Sequence, residues 1–468
     1  MASPNASSAD STYDAIIIGA GISGLIVATV LHAAGLKIAV LEATHRVGGK
    51  ILSVSSTETG FSDLGATWIN DSTMSEMWKL TRKYGIETEI QRVEGDNVAQ
   101  DADGGAKRVP YDFVPGEREL VFKLIQIVSE EAEKTDLESP QSSPDAERLS
   151  KMTFREYCRD ISNTETAKVF ADQIPAAFVG VNGDEVSALC MLHYIKAGQG
   201  LEALISDHKD GGQYIRARTG MQTIPKRLAA ELPPSSLVLS TPVTSITQYP
   251  SPTQPCRVET STGHTFIAHR IVLSTPTPLH NSISFTPPLP QPRQILADTA
   301  VLGYYSKVVF IFAHPWWRDA GLSGTISALT GPISFTRDTS IPADDHWAIS
   351  CFIVGPRGRE WSKLSNLERY DAAWGQFKKC FRAAVENVPE PLKTFEMEWS
   401  KEEFLGGPCP VIPAGDEGVA VVGGELDKPF GKVHFVGTET ATVWRGYMEG
   451  AVRSGQRGAR EVLDALKM

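Results

Sequence analysis

Gly19-Ala20-Gly21-Ile22-Ser23-Gly24 stands between an apolar run at 14–18 (DAIII) and an apolar stretch from Leu25 to Ala34, a GxGxxG in the setting that a dinucleotide needs. Gly19 permits the tight turn, Gly21 removes the side chain that would block a pyrophosphate, and Gly24 lets helix and strand pack closely. The phosphates then lie at a helix N-terminus opened by Ile22 and Ser23. Glu42, closing the run KIAVL at 37–41, is a carboxylate placed to accept from ribose hydroxyls, and it favours a ribose without a phosphate. These residues leave NAD and FAD undecided. Three further side chains are chemically capable but ambiguous alone. Lys307, between Tyr305 and Val308, reads equally as a snorkelling strand lysine, Trp399 as core packing, and Cys409 as a buried thiol.

The elements that must hold them follow from periodicity. Residues 14–41 read as strand, turn, helix, strand. Thr73 with Glu76, and Thr153 with Glu156, have the spacing of capping boxes; the first would open a helix running to Tyr84. Residues 129–150, rich in Ser, Glu, Asp and Pro, predict an exposed connection. Short alternating strands over 239–275 suggest an antiparallel meander, and a second sheet begins near 301 with VLGYYSKVVFIF. Helical character returns at 366–386, the last strand is 432–436, and a final helix starts near 447.

The phrase Glu42-Ala43-Thr44-His45-Arg46-Val47-Gly48-Gly49-Lys50 resembles the extension after the second strand in flavin amine oxidases, where a basic side chain and close backbone grip the pyrophosphate and flavin end of FAD. Asp63-Leu64-Gly65-Ala66-Thr67-Trp68 resembles the segment beside the isoalloxazine. Phe435-Val436-Gly437-Thr438-Glu439-Thr440-Ala441-Thr442, continuing through Trp444 and Gly446-Tyr447-Met448-Glu449-Gly450-Ala451, is similar almost residue for residue to the monoamine oxidases. The resemblance implies that Gly437 to Glu439 approach the ribityl-phosphate, that Met448 lies near the flavin pyrimidine, and that Tyr447 stands at the flavin face. Gly220-Met221 and the strand around Val243 resemble a second FAD segment in which a backbone valine meets adenine. The likeness covers most of the chain, more weakly over 300–400, and is strongest to a soluble, unanchored microbial branch.

By the same resemblance Lys307 matches the lysine held through a water against flavin N5, where a cation stabilises charge as reduced flavin meets dioxygen. Trp399 matches a tryptophan packed over that water site. Cys409 falls where membrane-bound relatives attach flavin covalently; non-covalent FAD is the expectation, with Cys409 the alternative point of attachment. The family's second aromatic wall follows this cysteine, but here the next residue is Pro410, which puts the substrate's shape in doubt and suggests a bulkier or longer amine.

The implied reaction is oxidative deamination of a primary amine by hydride transfer to flavin, giving an imine that hydrolyses, with dioxygen reduced to hydrogen peroxide. A polyamine oxidase, an L-amino-acid oxidase and a flavin-bearing binding or scaffold protein are the alternatives. The implied fold is α/β: a Rossmann-like FAD domain with an antiparallel meander, interleaved with an α+β substrate domain. Its expected segments are 10–90, 210–290 and 400–468 for FAD, 91–209 and 291–399 for substrate, and a flexible tail over 1–9.

Composition agrees with a globular enzyme of two joined domains: 468 residues, 41% hydrophobic and 22% charged. The net charge of −11 would repel phosphate backbones, so nucleic acid is not an expected partner. Six cysteines without CxxC or metal-ligand spacing read as reduced thiols of an intracellular protein, with no metal. No apolar stretch is long enough to span a membrane. A cytoplasmic location is expected, a peroxisomal one if Leu466-Lys467-Met468 serves as an address. The expected partners are a small amine and dioxygen, and the expected assembly, if any, is a homodimer.

Overall fold

A computed structural model describes residues 12–113, 116–415 and 425–467; the expected tail over 1–9 and Met468 lie outside these. Strand β1 (Tyr13–Ile18) runs parallel to β2 (Ile38–Leu41), joined by helix α1 (Ile22–Ala33). Residues 15–18 and 38–41 are buried throughout, as befits parallel strands covered on both faces. On the other side β1 pairs in parallel with Thr265–Leu273, the long third strand of the meander. The first part of that strand pairs antiparallel with Cys256–Thr260, and Ile271–Leu273 pairs in parallel with Val433–Phe435. The meander and the last strand thus complete one sheet of eight strands.

A second sheet of seven strands has the order Lys393–Glu398, Tyr305–Phe312, Trp347–Val354, Phe335–Asp338, Leu322–Ala328, Asp96–Gln100, Ala106–Val109. Alternation along Tyr305–Phe312 divides its side chains. Val308, Phe310 and Phe312 enter an aromatic core with Trp317, Trp374 and Phe377, the last two from the helix Asn366–Phe381. Val309 and Ile311 face the other way and pack with Leu64 of the N-terminal region. By the two-residue period Lys307 shares that second face. Among the described residues no helix is long and apolar enough to cross a membrane.

The C-terminal helix Met448–Leu466 lies along α1, and small residues permit the approach: a Cβ on Gly455 would stand 2.6 Å from the Ser23 carbonyl oxygen. This helix also corrects one expectation. The helix expected to open at Thr73 spans Ser75–Lys83, and Thr73 caps nothing. Its first-turn N–H groups at Glu76 and Met77 donate instead to the Glu449 carboxylate, at 3.2 and 2.8 Å. Glu449 has no exposed side chain and takes Arg453 Nε at 2.7 Å. A desolvated carboxylate needs donors more than a threonine hydroxyl does, and a helix N-terminus supplies them. The Thr153–Glu156 capping box forms as expected. The expected connection over 129–150 is partly helical: Arg118–Glu133 runs into it, and Ala146–Lys151 anchors it through buried Ala146 and Leu149. Ala146–Lys151, at six residues, is too short to display a period.

Replacing Glu449 by Ala leaves two backbone N–H groups without their acceptor and is expected to lower stability by about 2–3 kcal/mol. Urea unfolding followed by tryptophan fluorescence checks this; an unchanged midpoint contradicts the assigned cap.

Candidate active site

The glycine loop, the 42–50 phrase, the 64–68 segment and the 437–448 phrase converge on one cavity of about 500 Å³. Chains that are distant in sequence meet here because the loops at the carboxyl ends of β1, β2 and Thr265–Leu273 lie side by side. Of the residues singled out for the cofactor or for chemistry, all except Gly24, Arg46 and the Gly220-Met221 pair line this cavity.

Gly24 acts behind the wall. A Cβ there would sit 2.1 Å from the Gly19 carbonyl oxygen, so any side chain would push α1 off the turn. Gly21 is the opposite case, since a Cβ would meet nothing within 4 Å and would project into the space the loop encloses. Glu42 binds the protein itself: Oε2 accepts from the Ala20 N–H at 2.6 Å, and Oε1 accepts from the Thr44 N–H and hydroxyl at 2.8 Å. It thereby ties the glycine turn to the end of β2 while remaining on the cavity wall.

The basic residues of the 42–50 phrase differ. Lys50 donates to the Pro408 carbonyl at 3.0 Å, and burial holds its ammonium below the ordinary lysine range. Burial also raises the carboxyl of nearby Glu439, which accepts from the Thr277 N–H at 2.8 Å. Arg46 lies over Trp399, 5.9 Å from the ring centroid. Its Nη2 is buried with no partner among the described residues, as is the hydroxyl of Thr275 on the wall. A bare turn at a helix N-terminus with unpartnered donors beside it suits a phosphate-bearing cofactor. Gly220-Met221 stands apart from the cavity: the Met221 N–H donates to Asp63 Oδ1 at 2.9 Å, and Gly220 backs onto Ser53. Val243 does line it.

Lys307 is 2% exposed. Its Nζ donates to the Asp63 carbonyl at 2.9 Å, the Gly65 carbonyl at 2.8 Å and the Thr67 hydroxyl at 2.8 Å. Burial pushes its pKa down to about 8. Trp399 Nε1 donates to the Leu64 carbonyl at 2.9 Å, so both residues grip the same segment. Cys409 is buried and its thiol is pushed up to about 11 by burial, Arg445 opposing the shift.

Tyr447 forms part of the wall, half-buried, with Trp444 edge-on behind it at 4.9 Å and Gln213 beside its hydroxyl. Pro410 is also on the wall. Aromatic surface near it comes from elsewhere: Tyr194, stacked on Phe178 at 6.1 Å, and Tyr305, edge-on to Phe352 at 6.0 Å. These rings, with Phe335, Gln213 and Arg337, escaped the reading of the sequence. Only one signal pointed to any of them: Tyr305 precedes Lys307 by two residues in a strand, and so shares its face.

A sequence profile described as flavin containing amine oxidoreductase matches residues 22–463. The chain is 31% identical over 462 residues to flavin-containing amine oxidase B of Canis lupus familiaris, covering 97% of this chain and 86% of that protein. It is 32% identical over 463 residues to a flavin-containing amine oxidase of Oncorhynchus mykiss, with the same coverage. The fold superposes on cyclohexylamine oxidase from Brevibacterium oxydans IH-35A with a TM-score of 0.88 and 29% identity, covering 98% of this chain and all of that one. A putrescine oxidase bound to putrescine matches with a TM-score of 0.88 and 25% identity, covering 97% and 99% of the two chains.

A lysine whose folded pKa is depressed destabilises the fold while protonated, and that cost is relieved as pH rises through the folded value toward the unfolded one. With the folded value at about 8, wild type should gain roughly 1 kcal/mol on Lys307→Met between pH 7 and 9. Parallel urea titrations at the two pH values measure the difference; a constant gap would show that burial does not bring the Lys307 pKa down into this range.

Proposed function

The chain belongs to the flavin-containing amine oxidoreductases and is an FAD-dependent amine oxidase, and we propose that a primary amine is oxidised in the aromatic part of the cavity beside Lys307 and Tyr447. The observation that carries this reading is the buried Lys307 ammonium, tied to the 63–67 segment at the rear of the wall. Bound FAD supplies the two-electron acceptor and passes the electrons to dioxygen. Gly19, Gly21, Ile22, Ser23, Glu42 and Ala43 would hold its adenosine and pyrophosphate end, with Arg46, Gly48, Gly49 and Lys50 continuing along it and Val243 against the adenine. Gly65 to Trp68, Gly437 to Glu439 and Met448 would hold the flavin end.

The protein's own part is to bring the amine in uncharged and to aim its α C–H. Rings from Tyr194, Tyr305, Phe352 and Tyr447 make the cavity apolar, which favours the free base over the ammonium. Burial raises the Tyr447 hydroxyl above its ordinary range, so the ring remains a neutral wall. Tyr194 and Tyr305 are our candidates for the wall that Pro410 does not make. Lys307, held by three acceptors, keeps a positive charge where negative charge develops on oxygen. The released imine hydrolyses to an aldehyde or ketone and ammonia, and oxygen leaves as peroxide. The thiol of Cys409, with a pKa raised to about 11, is little ionised near neutrality, which supports non-covalent FAD.

The purified protein should be yellow, bleach with a suitable amine in the absence of oxygen, and release peroxide in its presence; a yellow protein that no amine bleaches would overturn the reading. In stopped-flow experiments Lys307→Met should slow reoxidation about tenfold or more, the size of effect expected on losing one charged group near developing charge, and should slow reduction by amine less. Equal effects on both half-reactions would remove Lys307 from the oxygen step. Acid precipitation should leave the yellow colour in solution; colour that stays with the pellet would indicate attachment at Cys409.

A further inference from the structure

The register of the second sheet places one more charge on the cavity. Lys307 and Phe335 flank Phe352 from opposite sides, each in register with it. All three therefore share one face, as does Arg337, two residues beyond Phe335. Thr336 and Asp338 point away and are buried. From strand spacing and rise, the Cα of Arg337 is roughly 12 Å from that of Lys307.

Arg337 lines the cavity, whereas its partners Asp207 and Tyr111 do not. The Asp207 carboxylate, 8% exposed, accepts from Nε at 3.1 Å and from the Tyr111 hydroxyl at 2.7 Å. Nη1 donates to the Thr336 carbonyl at 3.0 Å. Nη2 has no hydrogen-bond partner among the described residues, although 19% of the side chain is still accessible. Asp207 thus steadies the guanidinium from behind and leaves one donor edge turned to an otherwise aromatic chamber. Of the carboxylates on the wall, Glu42 and Glu439 are already bonded to Ala20, Thr44 and Thr277, and Glu403 is exposed, where water screens its charge.

We propose that this cavity takes amines whose far end carries a carboxylate, which Arg337 binds, and that it discriminates against diamines. This rests on the reading that the amine reacts beside Lys307 and Tyr447. A carboxylate matches the unsatisfied edge of a guanidinium in charge and planarity, and relieves the cost of leaving that donor bare in an apolar space. A second ammonium beside Arg337 would meet like charge. The separation along the sheet favours an ω-amino carboxylate with several methylenes over an α-amino acid, whose carboxylate lies beside the reacting carbon.

The test uses the FAD-loaded enzyme with hexylamine, 6-aminohexanoate and 1,6-diaminohexane, and measures thermal shifts with hexanoate, which cannot be oxidised. Wild type should show kcat/KM highest for 6-aminohexanoate and lowest for the diamine, and hexanoate should raise Tm. In Arg337→Gln the ratio of kcat/KM for 6-aminohexanoate over hexylamine should fall at least tenfold, mainly through KM, and the hexanoate shift should vanish. Arg337→Lys keeps a cation for Asp207 and should lower the ratio by a smaller factor. A ratio near one in wild type, a ratio that Arg337→Lys and Arg337→Gln leave unaltered, or no stabilisation by hexanoate, would each overturn the proposal. If no amine reduces the flavin, including hexylamine, the amine-oxidation reading fails, and hexanoate stabilisation still decides the role of Arg337.

Discussion

A buried ammonium must have its three protons accepted, and here the acceptors belong to another sheet's territory. Lys307 rises from the seven-stranded sheet and ends on the Asp63 and Gly65 carbonyls and the Thr67 hydroxyl. Leaving any one unmade inside the protein would cost on the order of 1–3 kcal/mol. The 63–68 segment is thus held at one distance from the strand Tyr305–Phe312, and Trp399 reinforces it through the Leu64 carbonyl. The cavity is lined on both sides of this joint, by the seven-stranded sheet and by the 64–68 segment.

Around that joint the polar groups do two kinds of work. Some fix backbone: Glu42 binds the glycine turn to the second strand, and Glu449 binds the C-terminal helix to the start of Ser75–Lys83. Others have donors unused: Arg46 and Thr275 are buried with no partner among the described residues, and Arg337 keeps one accessible donor on the cavity wall. A protein rarely buries donors without partners. Thr275 and Arg337 line the cavity, and Arg46 lies against Trp399 of its wall, where a ligand could satisfy them.

The nearest aromatic surface also changes the meaning of Pro410. By resemblance a ring is missing beside Cys409, and the sequence does not say which other aromatic could supply that face. Folded, the chain brings Tyr194 from a helix and Tyr305 from a strand to the same chamber, so its apolar character survives the substitution.

Local rules made much of this legible beforehand. The period of two in 305–312, the glycines after an apolar strand and the Thr153–Glu156 box depend on neighbours within a few residues, and so the sequence by itself determined the dinucleotide turn and most element positions, while the place of the 437–451 phrase was legible only through its resemblance to the monoamine oxidases. It could not determine what caps Ser75–Lys83, because Glu449 lies far along the chain and competes only once folded. Nor could it show that Arg337 shares a face with Lys307. That depends on the alignment of both strands with Phe352, and strand register is set by burial and pairing across the whole sheet, information that no single segment contains.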